Sequence, residues 1–295
     1  MPQNSTRCDT SPTLGVVAIS YNEEQNLPVF IEHLLPWVNE IVIVDDGSSD
    51  RTAEIAMKGG PKVNFLASPR SEGEYFSDQR NKGIAASTSD WLLHMDIDER
   101  VTPELACEIK AAIIEPQKDA YKFRRLNFFL HRPMRGGGLQ DWNLIHLSRR
   151  DIFKFGGMYH EECIVQVPPE RIGQLNAQMW HLNEDGYEKR MSKSLLYCTE
   201  LSNKISKKTC KIHWYSFFIR PFIEFAKQFI FKHGYQDGIP GLIWALHAAD
   251  ATFRSYALAW DQQHHISRQE IEAMFSQTWQ EYHEKIKDIN KIKNA

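Results

Sequence analysis

Over its first hundred positions the chain alternates short apolar blocks with longer amphipathic ones. Leu14-Gly15-Val16-Val17-Ala18-Ile19-Ser20, Ile41-Val42-Ile43-Val44, Val63-Asn64-Phe65-Leu66 and the run from Trp91 to Met95 are compact and bounded by polar residues. Blocks of that length and composition predict buried strands. Between them the apolar positions fall at helical spacing. Leu27, Phe30, Ile31, Leu34, Leu35 and Val38 predict a helix over 26–38, with Pro28 in the first turn where its missing N–H is harmless. Thr52 to Met57 predicts a second helix, with Ser49 or Asp50 ready to cap it, and Ser77 to Ala86 a third. The order β-α-β-α-β-α-β predicts an α/β fold with a mainly parallel, Rossmann-like sheet flanked by helices. Such sheets bind ligands beyond the carboxyl ends of their strands. Tyr21 to Glu24, Asp45-Asp46 and Asp96 to Glu99 all stand at such ends.

The pattern then loosens. Thr102-Pro103-Glu104 opens a helix with a cap, a first-turn proline and a first-turn acid. Ala120 to Phe129 predicts a strand, 131–138 a basic, glycine-rich loop, and 144–147, 153–155, 163–167 and 179–182 short strands. Helical spacing runs over 187–211 with many lysines. Trp214 to Phe231 is crowded with aromatics but broken by Arg220, Pro221, Glu224 and Lys227, which argues against a membrane-spanning helix. Gly238-Ile239-Pro240-Gly241 separates it from an apolar helix over 242–260, and a polar helix begins near Ser267. The domain reading is a disordered start over 1–13, a core domain over 14–210 (halves 14–100 and 101–210), and a C-terminal helical appendage over 211–295.

Composition narrows the partners. A net charge of −3 gives no global basic field, so nucleic acid is not expected. Five scattered cysteines with no C-x-x-C pair suggest reduced thiols and a cytoplasmic address. The polar start lacks the apolar core of a signal peptide, and no uncharged stretch approaches the roughly 20 residues of a spanning helix.

The candidate chemistry centres on Asp96-Ile97-Asp98-Glu99. If the strand continues through it, Asp96 and Asp98 point to one face. Two carboxylates so placed repel, and a divalent cation would relieve them; hard oxygen donors suit Mg2+ or Mn2+. The plainer reading is a solvated acidic turn.

Taken together, Val17 to Glu24, Asp45-Asp46-Gly47-Ser48-Ser49-Asp50-Arg51-Thr52, Gln79-Arg80-Asn81-Lys82-Gly83 and Asp96-Ile97-Asp98-Glu99 resemble family 2 glycosyltransferases of the GT-A fold. Within that family they are most similar to bacterial β-1,4-glucosyltransferases that extend the lipopolysaccharide core. Those enzymes also share a glycine-rich segment, a His-Glu step like His160-Glu161 and an Asp-Gly pair like Asp237-Gly238. The four motifs cover 14–100; the likeness is looser over 120–240 and weak beyond.

The resemblance implies a nucleotide-sugar donor, a UDP-hexose first, and a glycan or lipid-linked acceptor at the inner face of the membrane. It implies that Tyr21 and Glu23 border the nucleoside, that Asp46 with Asp45 bonds the base or ribose, and that Arg80 reaches the nucleotide. Asp96 and Asp98 would hold the metal and the donor diphosphate, with His181 completing the shell. Glu161 is the candidate base, with Glu162 second, because Gly156-Gly157 allows close approach of a sugar and the family's His-Glu step falls there. Plainer roles stand beside these: a turn for Asp45-Asp46, a surface ion pair for Arg80, a structural histidine at 181 and a capping Glu161. A non-catalytic sugar-nucleotide-binding protein and, less naturally, a phosphohydrolase or nucleotidyltransferase are the rival functions. The aromatic and basic stretch 214–231 suits either a peripheral membrane contact or a packed helix.

Overall fold

The computed structural model describes residues 11–157, 162–182, 186–208 and 211–293. The described residues within 1–189 and 227–244 form one compact unit, and those within 190–226 and 245–295 form a second. The continuous run of the first unit ends at Lys189, and residues 227–244 join it.

In chain order the first unit contains β1 (Leu14–Ser20), α1 (Leu27–Leu34), β2 (Glu40–Asp45), α2 (Thr52–Met57), β3 (Val63–Ala67), α3 (Phe76–Ala86), β4 (Trp91–His94), β5 (Glu99–Val101), α4 (Pro103–Ile114), β6 (Ala120–Phe129), β7 (Arg132–Pro133), β8 (Asn143–Arg149), β9 (Phe153–Gly156), β10 (Glu162–Val165), β11 (Ile172–Gln174) and β12 (Met179–His181). The sheet order is β3-β2-β1-β4-β8-β6-β12-β5. The first four strands are parallel, and β8 enters antiparallel beside β4.

The apolar runs of β1 and β2 are continuous because both faces are covered. Val16, Ala18, Ile41 and Ile43 pack with Phe30 and Leu34 of α1 and Leu105 and Ile109 of α4. The alternate residues Val17, Val42 and Val44 pack with Ile84 of α3 and Phe153 of β9. Thr102 caps α4 by accepting from the Leu105 N–H, as its sequence predicts. Asp50 accepts from the Thr52 N–H at the start of α2.

The second unit is built from helices: α5 (Tyr187–Lys208), α6 (Ser216–Ala226), α7 (Gly238–His264) and α8 (Arg268–Lys293), with α5 and α7 each beginning in the first unit. Ser194, Cys198 and Ser202, four apart on α5, are buried. They meet α7 through Ser194–Arg254, Cys198–Ala251 and Ser202–Gln262 contacts. Small side chains at that spacing let two helices approach closely. After α6 the chain passes into a π-helical turn over Lys227–Phe231.

Two expectations are corrected here. The last apolar helix starts at Gly238 and not at Leu242, so the separating segment 238–241 is its own first turn: Gly238 takes a positive φ of 62° and Pro240 sits where proline costs no hydrogen bond. The acidic motif is not an extension of its strand either. β4 stops at His94, and the chain turns so that the Glu99 N–H donates to the Asp96 carbonyl at 3.0 Å. Strand alternation therefore does not set the directions of Asp96 and Asp98.

Candidate functional site

The parallel strands bring three polar loops to one rim, and hydrogen bonds knit them together. Asn22, at a left-handed φ of 56°, accepts from the Ser49 N–H. The Glu23 N–H donates to Thr52 and the Glu24 N–H to Asp50. Arg100 donates to the Asn26 carbonyl, joining the first loop to the acidic turn.

Asp45 builds the second loop. It is buried and accepts from Ser20, from the Gly47 and Ser48 backbones and from the Ser48 hydroxyl. Its carboxylate is spent on the turn, so Asp46 is the acid of this pair that reaches beyond the loop. Asp46 takes two bonds from Arg70, at 2.8 Å from its N–H and 2.7 Å from its Nε. The Arg70 guanidinium also covers Phe76. Tyr21 is 59% exposed beside this corner. Glu23 is half-buried; burial raises its carboxyl, an Asn26 hydrogen bond lowers it and the Asp98 charge raises it again, with a net rise.

The Gln79-Arg80-Asn81-Lys82-Gly83 motif is a hub whose residues tie together several segments. Gln79 donates to the Ser68 carbonyl beyond β3. Asn81 exchanges two bonds with the Phe155 backbone of β9. Lys82 pairs with Glu74. Gly83 lies against the sheet, where a Cβ would stand 2.5 Å from Val17 Cγ1. Arg80, on the same helix, donates to Asp96 Oδ1 at 2.5 Å.

Asp96 thus stands between two guanidiniums, since Arg125 Nη1 lies 3.8 Å from its other oxygen. Burial would raise the Asp96 carboxyl, but the Arg80 and Arg125 charges outweigh it and hold it well below the usual range. Glu99 is fully buried. One of its oxygens accepts from the Asp96 N–H at 2.8 Å, and the other lies 2.8 Å from Arg125 Nε without hydrogen-bond alignment. Burial pushes its carboxyl up to about 7, against the pull of Arg125 and with the push of Asp96.

Asp98 turns the other way, toward β12. His181 Nε2 lies 3.2 Å from Asp98 Oδ2, and His181 Nδ1 lies 2.7 Å from Asn127 Oδ1. Burial lowers the His181 pKa, and the hydrogen bond and charge of Asp98 more than offset it, giving a net rise.

The rim therefore gathers Glu23, Arg80, Asp96, Asp98 and His181, with Tyr21 and Asp46 on its flank. Glu161 lies outside the described residues, between Gly157 and Glu162; the Ser77 hydroxyl and the Asn81 amide hold the Gly157 and Phe155 carbonyls just before it. Sequence reasoning missed Arg70, Glu99, Arg125 and Asn127 as members. Arg125 and Asn127 were detectable as polar residues two apart, on the same face of β6 as the buried Phe123 and Phe129.

A divalent cation fits this donor set in a restricted way. Among the described residues no three His, Cys, Asp or Glu side chains form a ready cage. Asp98 and His181 face each other as two donors, while Asp96 is engaged by arginines. Mg2+ characteristically takes one or two protein carboxylates and completes its shell with phosphates and water.

Acidic and basic side chains gathered beyond the carboxyl ends of parallel strands stand where α/β sheets receive their ligands. The profile described as Glycosyl transferase family 2 matches residues 15–163, about half of the chain, and the chain belongs to that family. Its sheet is accordingly a GT-A sheet. The phosphohydrolase and nucleotidyltransferase readings fall with that membership.

A TPR repeat-containing protein of Synechococcus elongatus is 30% identical over 50% of this chain and 34% of its own length. The dolichyl-phosphate beta-glucosyltransferase of Mus musculus is 33% identical over 30% of this chain and 32% of its own. An undecaprenyl-phosphate 4-deoxy-4-formamido-L-arabinose transferase of Pectobacterium carotovorum is 34% identical over 32% of each. The match thus spans about a third of the length of these curated relatives. A crystal structure of glucosyl-3-phosphoglycerate synthase from Mycobacterium tuberculosis with Mn2+, UDP and glucosyl-3-phosphoglycerate aligns at a TM-score of 0.45 and 16% identity, over 66% of this chain and 79% of that one.

Proposed function

We propose that the protein is an inverting glycosyltransferase that moves a hexose from a nucleotide donor, a UDP-hexose first, to a glycan or lipid-linked acceptor. The observation that carries this reading is the rim itself. Acidic and basic side chains from β1, β2, α3, β4 and β12 converge where a parallel sheet receives a nucleotide, in a chain of family 2. Tyr21, Glu23 and Asp46 border the nucleoside, with Arg70 placed to exchange its Asp46 contacts for a ligand's. Arg80 and Arg125, though balanced by Asp96 and Glu99, bring positive charge toward the diphosphate. Asp98 and His181 hold Mg2+ or Mn2+. When bound, that cation supplies Lewis-acid stabilisation of the charge that develops on the leaving diphosphate. The acceptor hydroxyl attacks the opposite face of the anomeric carbon and gives its proton to Glu161.

Relatives named for dolichyl- and undecaprenyl-phosphate support a lipid-linked acceptor, and with it a place in cell-envelope polysaccharide or lipopolysaccharide biosynthesis at the cytoplasmic face of the membrane. Among the described residues no helix is long and apolar enough to cross a membrane. The stretch 214–231 is the proposed peripheral contact.

Calorimetry of UDP binding tests the centre of this reading. Binding should be strong with manganese and weak with chelator, and Asp98→Asn should abolish the difference together with nearly all turnover. Equal affinity under both conditions would remove the cation from the site.

A further inference from the structure

Asn127 lies on β6 in direct register with His181 on β12, and β12 in turn pairs His181 with Glu99 of β5. It is 4% exposed, yet it is a primary amide in a strand of aromatic and apolar neighbours. Both ends of that amide are committed. Nδ2 donates to the carbonyl oxygen of Leu139, and Oδ1 faces His181 Nδ1 at 2.7 Å.

The amide's orientation follows from its partners. A carbonyl oxygen only accepts, so the atom against Leu139 must be the NH2 group. The atom against His181 is then the amide oxygen, which also only accepts. His181 Nδ1 must therefore carry a hydrogen. In the neutral ring the other nitrogen, Nε2, is bare. That nitrogen stands 3.2 Å from Asp98 Oδ2. Two lone-pair atoms at that distance repel, and two things relieve them: a second proton, which makes the ring an imidazolium donating Nε2–H to Asp98, or a cation in that proton's place.

We propose that Asn127 is a positioning residue: it fixes His181 in the Nδ1–H tautomer so that Nε2, paired with Asp98, offers its lone pair to a divalent cation. This rests on the reading of Asp98 and His181 as the cation's protein donors. Metal-ligating histidines are commonly oriented in this way through the ring nitrogen that does not bind the metal.

The arrangement also reaches the glycine-rich loop. Leu139 follows Gly136-Gly137-Gly138, and that loop is pinned in turn. Asp237 accepts from the Arg135 and Gly136 N–H groups at 2.7 Å each. Trp244 Nε1 donates to the Gly137 carbonyl at 2.9 Å, where Gly137 takes a φ of 68° and a Cβ would meet the indole at 2.6 Å. The amide that orients the histidine is thus itself held by a fixed loop carbonyl.

The test uses the full chain and two readouts that need no turnover. Nitrogen-15 NMR of the imidazole, recorded where His181 is neutral, reports the tautomer. Calorimetry with manganese and UDP reports cation affinity. Wild type should show Nδ1–H. Asn127→Leu should shift the ring toward Nε2–H and weaken manganese by about 10- to 100-fold. Asn127→Asp, which keeps an acceptor against Nδ1, should retain the wild-type tautomer and most of the affinity. An Nε2–H tautomer in wild type overturns the proposal without any variant, and so does unchanged manganese affinity in folded Asn127→Leu. Absence of manganese binding by wild type overturns the cation reading as well. Manganese binding that is lost in His181→Ala but indifferent to Asn127 overturns only the positioning role.

Discussion

Glu99 illustrates how one residue's surroundings set its chemistry. A carboxyl fully buried between Arg125 and the Asp96 N–H, with its pKa raised from 4.5 to about 7, binds its proton more tightly in the folded than in the unfolded chain. Its contribution therefore favours the fold below about pH 4.5 and is lost as pH rises from there to about 7, by up to about 3 kcal/mol. Replacing it with Gln should flatten the wild-type decline across that window, measured by urea unfolding at several pH values. Parallel pH profiles for the two proteins would show that Glu99 titrates as in water. At Glu161 the expectation is kinetic. Glu161→Gln should keep donor binding and lose about 10²-fold or more in turnover with a true acceptor, while Glu162→Gln loses much less. Wild-type turnover by Glu161→Gln would move the search for the base to Glu162 and Asp141.

At the scale of elements, α6 is the unusual one. Trp214 and Tyr215 before it and Phe218, Ile219, Phe222 and Ile223 along it are each at least 44% exposed. They lie at i, i+4, i+8 on two adjacent rows, which makes a continuous apolar stripe. Exposed Arg220 borders it, and Lys207, Lys208 and Lys211 precede it. Between 190 and 226 the chain carries seven Lys or Arg against two Glu, although the whole chain is net negative. An apolar stripe with basic edges suits the headgroup layer of an anionic membrane. Co-sedimentation with phosphatidylglycerol vesicles should be strong at low salt and should fall when Phe218 and Phe222 are both replaced by Ser. Binding that ignores the double substitution, or no binding at all, would assign the stripe to protein packing.

At the scale of the molecule, the Asp237 clamp joins positions about a hundred residues apart within the first unit. Its two bonds are charge-assisted and satisfy loop N–H groups that would otherwise lack partners. Asp237→Ala should cost about 1–3 kcal/mol in denaturant unfolding. A cost near zero would mean that Trp244 and the bond from the Gly137 N–H to the Lys232 carbonyl hold the loop without it.

How far the chain could be read alone follows from the range of the forces involved. Local patterns fixed the α/β class, the four parallel strands, the Thr102 cap and the rim loops, because strand length, helical period and caps are decided within a few residues. The motif at 79–83 was visible as a string, but its meaning was not: each of its side chains reaches a partner 8 to 74 positions away. The acidic pair misled for the same reason. A strand that continued would have aligned Asp96 with Asp98, whereas the turn closed by Glu99 sends one to Arg80 and the other to His181. Arg125 and Asn127 stood out on β6 as polar residues, but their partners Asp96 and His181 belong to the tertiary structure. They depend on β6, β12 and β5 lying side by side, a pairing set by long-range packing that no local window of the sequence contains.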